Sequence, residues 1–280
     1  MMPREVDRIA DPLATMPPTR TLFGRDHEQP GAVATAVVAN SAVALGLARG
    51  WRPKPYTYVD PNEDVVAGVV GARAHLLVVA DGHNGRQASH DAVAAVVDLL
   101  GHDPRPADLG DDEVIDVVVE IGRRIGGQAR GRGPRSRTTL VVALRTSTHL
   151  QWFGVGDSAL LIVDDEHNGR ALPTTTRWFL ADDPDRATVR RTLARGNVSL
   201  PAPAWVTLAT DGYTDYLPAG GPASDAAAQA IAGAGTPGRA VDALLEQARR
   251  GGAGDNVGVT VSGPWYKAGD GHDDVLDQHG

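Results

Sequence analysis

The chain has 280 residues, of which 42% are hydrophobic, enough for one large domain or two small ones with a buried core. Its formal net charge is −8, which argues against nucleic acid as a partner because phosphate binding favours a basic face. It contains no cysteine, which excludes disulfides and thiolate chemistry and fits a reducing compartment.

Residues 1–31 contain scattered prolines and charges and few large apolar side chains, which predicts a flexible N-terminal extension. The apolar stretch at 32–48 begins too late for a secretory signal and is interrupted by Asn40 and Ser41. It is also too short and too weakly apolar for a membrane span, so we interpret it as one or two paired strands. The sequence therefore predicts a cytoplasmic protein with no membrane segment.

A proline-rich loop follows, and after it comes a hairpin of two apolar strands. The prolines between residues 53 and 61 predict irregular structure because proline lacks the donor that a central strand needs. Strands are predicted at about 64–70 and 74–80, with Gly71-Ala72-Arg73 as the tight turn between them.

The rest of the chain alternates between helical and strand patterns. Apolar residues at helical spacing predict helices at 86–100 and 111–127. Asn168-Gly169, between two apolar runs, predicts a type I′ hairpin turn. The remaining predicted elements are strands near 138–145, 149–155, 158–163, 204–210 and 257–262, and helices near 184–195, 223–233 and 237–250.

Many short strands with hairpin signals, and helices grouped in pairs, predict an α+β fold in which helices cover antiparallel sheets. No internal repeat of fixed period is present. The prediction is a single domain over residues 32–264, followed by a flexible, acidic C-terminal tail over residues 265–280.

The stretch from Ala74 to Gly85 concentrates chemistry in one turn. A buried strand that stops on Asp81 holds a carboxylate on a rigid support. Gly82 lets the backbone turn and expose its carbonyl group, and His83 adds an imidazole. Taken alone, the same residues also fit an ordinary Asp-Gly turn with His83 at the surface.

Acidic residues recur at the ends of predicted strands. In adjacent antiparallel strands, the start of one and the end of the next lie at the same edge of the sheet, so these side chains are expected to converge. Converging carboxylates repel one another unless cations lie between them, and carboxylates without cysteine suit Mg²⁺ or Mn²⁺. Each acid alone could instead be a turn or cap residue. The set is Glu63, Asp64, Asp81, Asp211 and Asp255.

Six short motifs, taken in order over residues 43–262, resemble the metal-dependent protein phosphatases of the protein phosphatase 2C family. The resemblance implies a sandwich of two antiparallel sheets flanked by helices, with a two-metal site at one edge. The motifs are Asn62-Glu63-Asp64, Asp81-Gly82-His83-Asn84-Gly85, Thr138-Thr139, Gly156-Asp157-Ser158, Asp211-Gly212 and Asp255-Asn256.

By motif position, the resemblance implies that Asp81 bridges two Mg²⁺ or Mn²⁺ ions and that the Gly82 carbonyl binds one of them. Glu63 would hold that same ion, with Asp64 close by, whereas Asp211 and Asp255 would hold the other. A metal-bridged water would attack the phosphate in line. His83 would protonate the leaving seryl or threonyl oxygen, which suits a side chain that titrates near neutrality.

Other matched residues are expected to be structural. Asp157-Ser158 is interpreted as a tight turn that supports the fold without binding metal, and Thr138 and Thr139 are expected to pack or hydrogen-bond near the site.

Three departures from the family pattern affect the prediction. Asn84 interrupts the usual run of glycines, which asparagine tolerates because it adopts left-handed conformations. The family's phosphate-binding arginine is absent because Val59 stands near its position, and Arg52 is the candidate to replace it. The segment 173–200 is short and lacks the family's acidic-histidine signature, which leaves substrate preference open.

The leading hypothesis is a serine/threonine protein phosphatase that acts on phosphoproteins and opposes a kinase, as a monomer. Two alternatives remain open. The chain could be a non-catalytic relative that binds phosphoproteins or a kinase, or it could hydrolyse small phosphate esters.

Overall fold

The computed structural model describes residues 16–40, 42–54, 59–104, 109–128, 136–181, 184–201, 203–217 and 221–265. The strands, in chain order, are β1 (Thr19–Phe23), β2 (Val33–Val38), β3 (Val43–Ala48), β4 (Val65–Val70), β5 (His75–Ala80), β6 (Gly82–His83), β7 (Arg137–Thr138), β8 (Leu140–Arg145), β9 (His149–Val155), β10 (Ala159–Asp164), β11 (Gly169–Leu172), β12 (Ala194–Ser199), β13 (Ala204–Ala209) and β14 (Val257–Ser262). The helices are α1 (Gln87–Leu100), α2 (Asp111–Gln128), α3 (Arg186–Thr192), α4 (Asp211–Thr214), α5 (Ala223–Ile231) and α6 (Pro237–Gly251).

Two six-stranded antiparallel sheets form the centre of the fold. The first has the order β1-β4-β5-β8-β9-β12, and the second has the order β11-β10-β13-β14-β3-β2. The short strands β6 and β7 pair separately. This arrangement confirms the predicted α+β class, and the two-sheet sandwich that the family resemblance implied.

The central strands are buried on both faces, which explains their continuous apolar sequences. Strand β5 is fully buried over its six residues, as are β3 and β14. One face of each sheet packs against the other sheet, where Leu45, Leu77 and Leu208 belong to the shared core. The opposite faces pack against helices, so the domain has three apolar layers.

Helices α1 and α2 cover the first sheet through the apolar stripes that the sequence predicts. Helix α6 covers the second sheet together with α5. The ends of α6 are specified locally. The side chain of Thr236 accepts a hydrogen bond from the Arg239 amide, and Gly252 ends the helix in a left-handed conformation with φ of 77°.

The N-terminal region differs from the prediction of a flexible extension over residues 1–31. Residues 19–23 form β1, which pairs with β4 from Thr19↔Val69 to Phe23↔Val65. The sequence signal for β1 was weak because the segment TRTLF is a short edge strand, and its pairing partner β4 lies more than 40 residues later. Residues 1–15 lie outside the described part of the chain.

At the C-terminal boundary, Trp265 stacks on the ring of His75 with 4.3 Å between ring centroids. The predicted tail is otherwise outside the described residues. Two further differences are local. Strand β12 was not predicted, and the turn between β10 and β11 is not type I′, because the left-handed residue is His167, with φ of 62°, and not Asn168 or Gly169.

No helix within the described ranges is long and apolar enough to cross a membrane.

Candidate active site

Four aspartates from different strand ends converge at one edge of the sandwich. Asp64 precedes β4 and Asp81 follows β5, and the pairing Val65↔Ala80 makes them neighbours. Asp211 begins α4 two residues after the end of β13, and Asp255 lies two residues before β14 in the same sheet. Electrostatic repulsion links members of the two sheets, between Asp64 and Asp255 and between Asp81 and Asp211. We call Asp64, Asp81, Asp211 and Asp255 the acidic cluster. Their convergence agrees with the strand-end argument.

The two Asp-Gly pairs are explained by close backbone contacts. A Cβ atom at Gly82 would lie 2.8 Å from the carbonyl oxygen of Glu63, and a Cβ at Gly212 would collide with the carbonyl oxygen of Asn256. Neither glycine has a positive φ. Glycine is therefore needed at both positions because the loops that carry the acids touch there.

The backbone of Asp81 is fixed by the Thr138-Thr139 motif. Thr139 accepts a hydrogen bond from the Asp81 amide at its Oγ1 atom, and its own amide donates to the Asp81 carbonyl, both at 2.9 Å. The hydroxyl of Thr138 also donates to that carbonyl at 2.9 Å. Thr139 contacts the Ser158 hydroxyl in turn. The expectation that Thr138 and Thr139 hydrogen-bond near the site is confirmed.

Three members of the acidic cluster, Asp64, Asp81 and Asp211, have raised pKa values. Burial raises the pKa of Asp81 well above its usual value, and repulsion from the other three carboxylates adds to the effect. The same two causes raise the pKa of Asp211 to about 8 and that of Asp64 to about 7. The side chains therefore hold their full negative charge only when positive charge is supplied between them.

One positive charge comes from Lys54, a residue that the sequence analysis missed. Its Nζ atom lies 2.5 Å from Asp255 Oδ1 and 2.9 Å from Asn256 Oδ1, and the side chain is only 3% exposed. Burial lowers the pKa of Lys54, while Asp255, Asp64 and Asp81 oppose that effect. Composition offered a signal, because only two of the 27 cationic residues are lysines, Lys54 and Lys267.

The donor set fits a hard divalent cation. The Oδ1 atom of Asp64 is buried and accepts no hydrogen bond from any N–H or O–H group of the described residues. Asp64 and Asp81 can share a hydrogen bond only if one of them is protonated. Oxygen ligands that lack donors and repel one another are typical of a site for Mg²⁺ or Mn²⁺.

Asp157 also belongs to this group. One carboxylate oxygen each from Asp81, Asp157 and Asp211 lie within 4.8 Å of one another. Its sequence position predicted only a supporting turn, whereas the structure places its exposed carboxylate beside two predicted ligands. The turn position was recognised, but the proximity of Asp157 to Asp211 depends on the pairing of β10 with β13 at Ala159↔Ala209, which the sequence does not show.

The carboxylate of Glu63 has a different environment. Its Oε1 atom accepts hydrogen bonds from the amides of Asp60 at 3.0 Å and Gly85 at 3.1 Å, so this atom braces the loop before β4 against the turn after His83. Burial raises the pKa of Glu63. The structure thus brings Asp64 into the acidic cluster, and Glu63 as a metal ligand stays a prediction.

His83 lies beside Asp81, with its Nε2 atom 3.5 Å from Asp81 Oδ2. That atom is buried and makes no hydrogen bond within the described residues. The His83 ring packs edge-on against Phe179, with 4.6 Å between ring centroids. The Arg137 guanidinium lies over the Phe179 ring, with its Cζ atom 4.8 Å from the ring centroid. Burial lowers the pKa of His83, Arg137 lowers it further, and Asp157 and Asp255 oppose the shift.

The predicted phosphate-binding residue, Arg52, lies on the rim formed by the loop that carries Asp255. The amides of Trp51 and Arg52 both donate to the carbonyl of Ala253. The Arg52 guanidinium packs on Gly252, where a Cβ atom would lie 2.5 Å from its Cζ atom. Asn84, another departure from the family pattern, has φ of 61°, the left-handed conformation that was expected.

An acidic cluster with these properties is typical of a metal-dependent hydrolase. The family model described as protein phosphatase 2C matches residues 58–246, which is more than half of the chain. The chain therefore belongs to the protein phosphatase 2C family, which confirms the predicted class, metal-dependent serine/threonine phosphatases. No curated protein matches the chain.

Solved structures share this fold at low sequence identity. A bacterial serine phosphatase is 16% identical to this chain, with a TM-score of 0.61. The match covers 81% of this chain and 99% of the phosphatase chain. The catalytic domain of PstP in complex with two manganese ions is 23% identical, with a TM-score of 0.57, covering 80% and 100%. MsPP from Mycobacterium smegmatis, in complex with cacodylate, is 17% identical, with a TM-score of 0.56, covering 82% and 97%.

Proposed function

We propose that this protein hydrolyses phosphoserine and phosphothreonine in other proteins, with two Mn²⁺ or Mg²⁺ ions held at the acidic cluster. The observation that carries the proposal is the convergence of four aspartates from both sheets, with a buried Asp64 oxygen that has no donor among the described residues. A related structure, the PstP catalytic domain, holds two manganese ions, which supports a two-metal site here.

In this proposal Asp81 lies between the two ions, since it is the aspartate that repels all three others. Asp211 and Asp255 would hold one ion, the Gly82 carbonyl and Glu63 would hold the other, and Asp64 and Asp157 would lie next to them. When bound, the two ions would supply a water of lowered pKa and neutralise the phosphate oxygens. The role of this chain's rigid strand ends is to fix that geometry.

His83 is the proposed proton donor to the leaving oxygen. Its Nε2 atom, which makes no hydrogen bond in the described part of the chain, lies beside the Asp81 carboxylate, and the ring packs edge-on against Phe179. The lowered pKa makes its protonated form a stronger acid, while it reduces the fraction protonated at neutral pH. We further propose that a kinase phosphorylates the same substrates, and that the protein is cytoplasmic and monomeric.

The test is hydrolysis of a phosphothreonine peptide and of p-nitrophenyl phosphate in Mn²⁺, in Mg²⁺ and in EDTA. We expect turnover with either ion, none in EDTA, and a loss of about 10²-fold or more in Asp211→Asn, because a transition-state charge loses its support. Preference for the peptide would support a phosphoprotein substrate. A folded wild-type protein without turnover in either metal would instead indicate a non-catalytic binding domain.

Arg52→Ala is expected to raise KM for p-nitrophenyl phosphate about 10-fold or more with little change in kcat, because a charge-assisted hydrogen bond to the phosphate is lost. Arg137→Ala is the matched comparison, since Arg137 stands opposite His83 in the β6–β7 pair. A raised KM in Arg137→Ala with an unchanged KM in Arg52→Ala would assign the phosphate contact to Arg137 and refute it for Arg52.

A further inference from the structure

The Lys54 ammonium occupies a defined position inside the acidic cluster. It contacts Asp255 Oδ1 at 2.5 Å, and the charges of Asp64 and Asp81 also act on it. Both partners are nearly buried, with the Lys54 side chain 3% and the Asp255 side chain 11% exposed. A buried ammonium is stable only where carboxylates or carbonyls surround it, so this contact is a specific feature of the site.

Asn256 holds Lys54 in place. Its Oδ1 atom accepts hydrogen bonds from Lys54 at 2.9 Å and from the Glu63 amide at 3.0 Å. Its Nδ2 group donates to the carbonyls of Arg49 and Pro61, both at 3.1 Å. Four hydrogen bonds thus fix the side-chain amide of Asn256, and they hold its oxygen towards Lys54.

The residue type is informative. Arginine supplies nearly all the positive charge of this chain, yet the cation inside the cluster is a lysine. Lysine presents a compact point charge on a flexible stem, whereas arginine presents a wide planar fork. A compact charge can fill the space between carboxylates that a metal ion would fill, and a flexible stem can withdraw it.

A metal ion and this ammonium cannot both bind the Oδ1 atom of Asp255 in the arrangement described. Mg²⁺ requires its oxygen ligands at about 2.0–2.1 Å, and the Lys54 nitrogen already lies against Oδ1. A divalent and a monovalent cation that share one carboxylate oxygen repel each other strongly in a buried site. An ion that binds Oδ1 must therefore displace the ammonium.

We propose that the Lys54 ammonium is a built-in cation of the acidic cluster, which neutralises Asp255 in the metal-free protein and is displaced from it when a divalent cation binds. This inference rests on the proposed metal site. It makes Lys54 an internal competitor that stabilises the metal-free fold and weakens metal binding.

The first test measures Mn²⁺ binding by calorimetry, and melting temperature in EDTA, for wild type and Lys54→Met. We expect Lys54→Met to bind Mn²⁺ at least about tenfold more tightly and to melt at a lower temperature in EDTA, because the competitor and the counter-charge are both removed. Arg73→Met removes one positive charge at the exposed β4–β5 turn, at the other end of those strands, and should change neither value.

If Lys54→Met does not fold in EDTA, Lys54→Gln replaces it, since glutamine lacks the charge but still donates to Asn256. Unchanged or weaker Mn²⁺ binding in a folded Lys54 variant would overturn the proposal. If the wild type binds and hydrolyses normally in that case, the proposed function stands. If neither the wild type nor the variant binds Mn²⁺, both proposals fail.

A second measurement observes the displacement directly. The chain has only two lysines, so protein labelled with ¹³C at lysine Cε gives two signals, and Lys267→Arg leaves that of Lys54 alone. Titration with diamagnetic Mg²⁺ should move the Lys54 signal in step with the calorimetric occupancy. A Lys54 signal that stays in place while Mg²⁺ binds would show that the ammonium is not displaced.

Discussion

Asp81→Asn is expected to reduce catalysis strongly and at the same time to stabilise the metal-free protein. Asp81 is the member of the acidic cluster that repels Asp64, Asp211 and Asp255 together, and burial keeps it poorly solvated. Asparagine has nearly the same shape but no charge. Turnover should fall about 10²–10³-fold or more because transition-state charge loses its support. In EDTA the free energy of unfolding should rise by about 1–2 kcal/mol, since each pKa unit relieved is worth about 1.4 kcal/mol.

The pH dependence of stability provides a check on the cause. The pKa of Asp211 is raised to about 8 and that of Asp64 to about 7, compared with about 4 when unfolded. The stability they contribute is complete below the unfolded pKa and is lost as the pH rises through the folded value. In EDTA the wild type should therefore lose stability between pH 5 and pH 8, and Asp81→Asn should lose less.

Denaturant unfolding in EDTA at those two pH values, and melting with and without Mn²⁺, would measure both effects. Mn²⁺ should stabilise the wild type by mass action and have little effect on Asp81→Asn. Ser199→Ala changes an exposed residue on β12 and is the control, because it should match the wild type in both the unfolding and the melting measurements. An Asp81→Asn protein that is less stable than the wild type in EDTA would contradict the repulsion argument.

The strand-end rule accounts for most of what the sequence revealed about the site. A buried strand that stops on an acid leaves a local pattern, so Asp81 and Asp211 were recognisable without any partner. Antiparallel neighbours then required that the starts of β4 and β14 lie at the same edge, which brought in Asp64 and Asp255. These inferences need only strand order and not side-chain direction.

The residues that the sequence did not reveal depend on long-range contacts. Lys54 lies in an irregular proline-rich loop, and its role depends on Asn256, about 200 positions later. Asp157 was assigned to its turn, but its proximity to Asp211 results from the antiparallel pairing of β10 with β13 at Ala159↔Ala209, two strands that are distant in the sequence. Strand β1 was missed for the same reason, because an edge strand with a distant partner has no local signature.

Gly212→Ala is expected to damage the site through backbone contact alone. Helix α4 begins at Asp211, and a Cβ atom on Gly212 would collide with the carbonyl oxygen of Asn256 and lie 3.3 Å from the Asp255 side chain. The backbone of Gly212 does not have a positive φ, so alanine introduces no conformational strain of its own. The loss of space should cost about 1–3 kcal/mol of stability, as overpacking does in other cores.

The effect of Gly212→Ala on activity should exceed its effect on stability, because Asn256, the residue that the new Cβ atom would displace, hydrogen-bonds to other residues of the site. Asn256 binds Lys54 and the Glu63 amide, so its movement shifts Asp255 relative to Asp64 and Asp81. Misplacement by about 1 Å costs about 10²-fold in rate. Gly238→Ala is the matched control, since nothing lies within 4 Å of its Cβ position, and alanine in α6 should keep full activity. If Gly212→Ala kept wild-type kcat and melting temperature, α4 could move without moving Asp255, and the rigid link between the loops that carry Asp211 and Asp255 would be refuted.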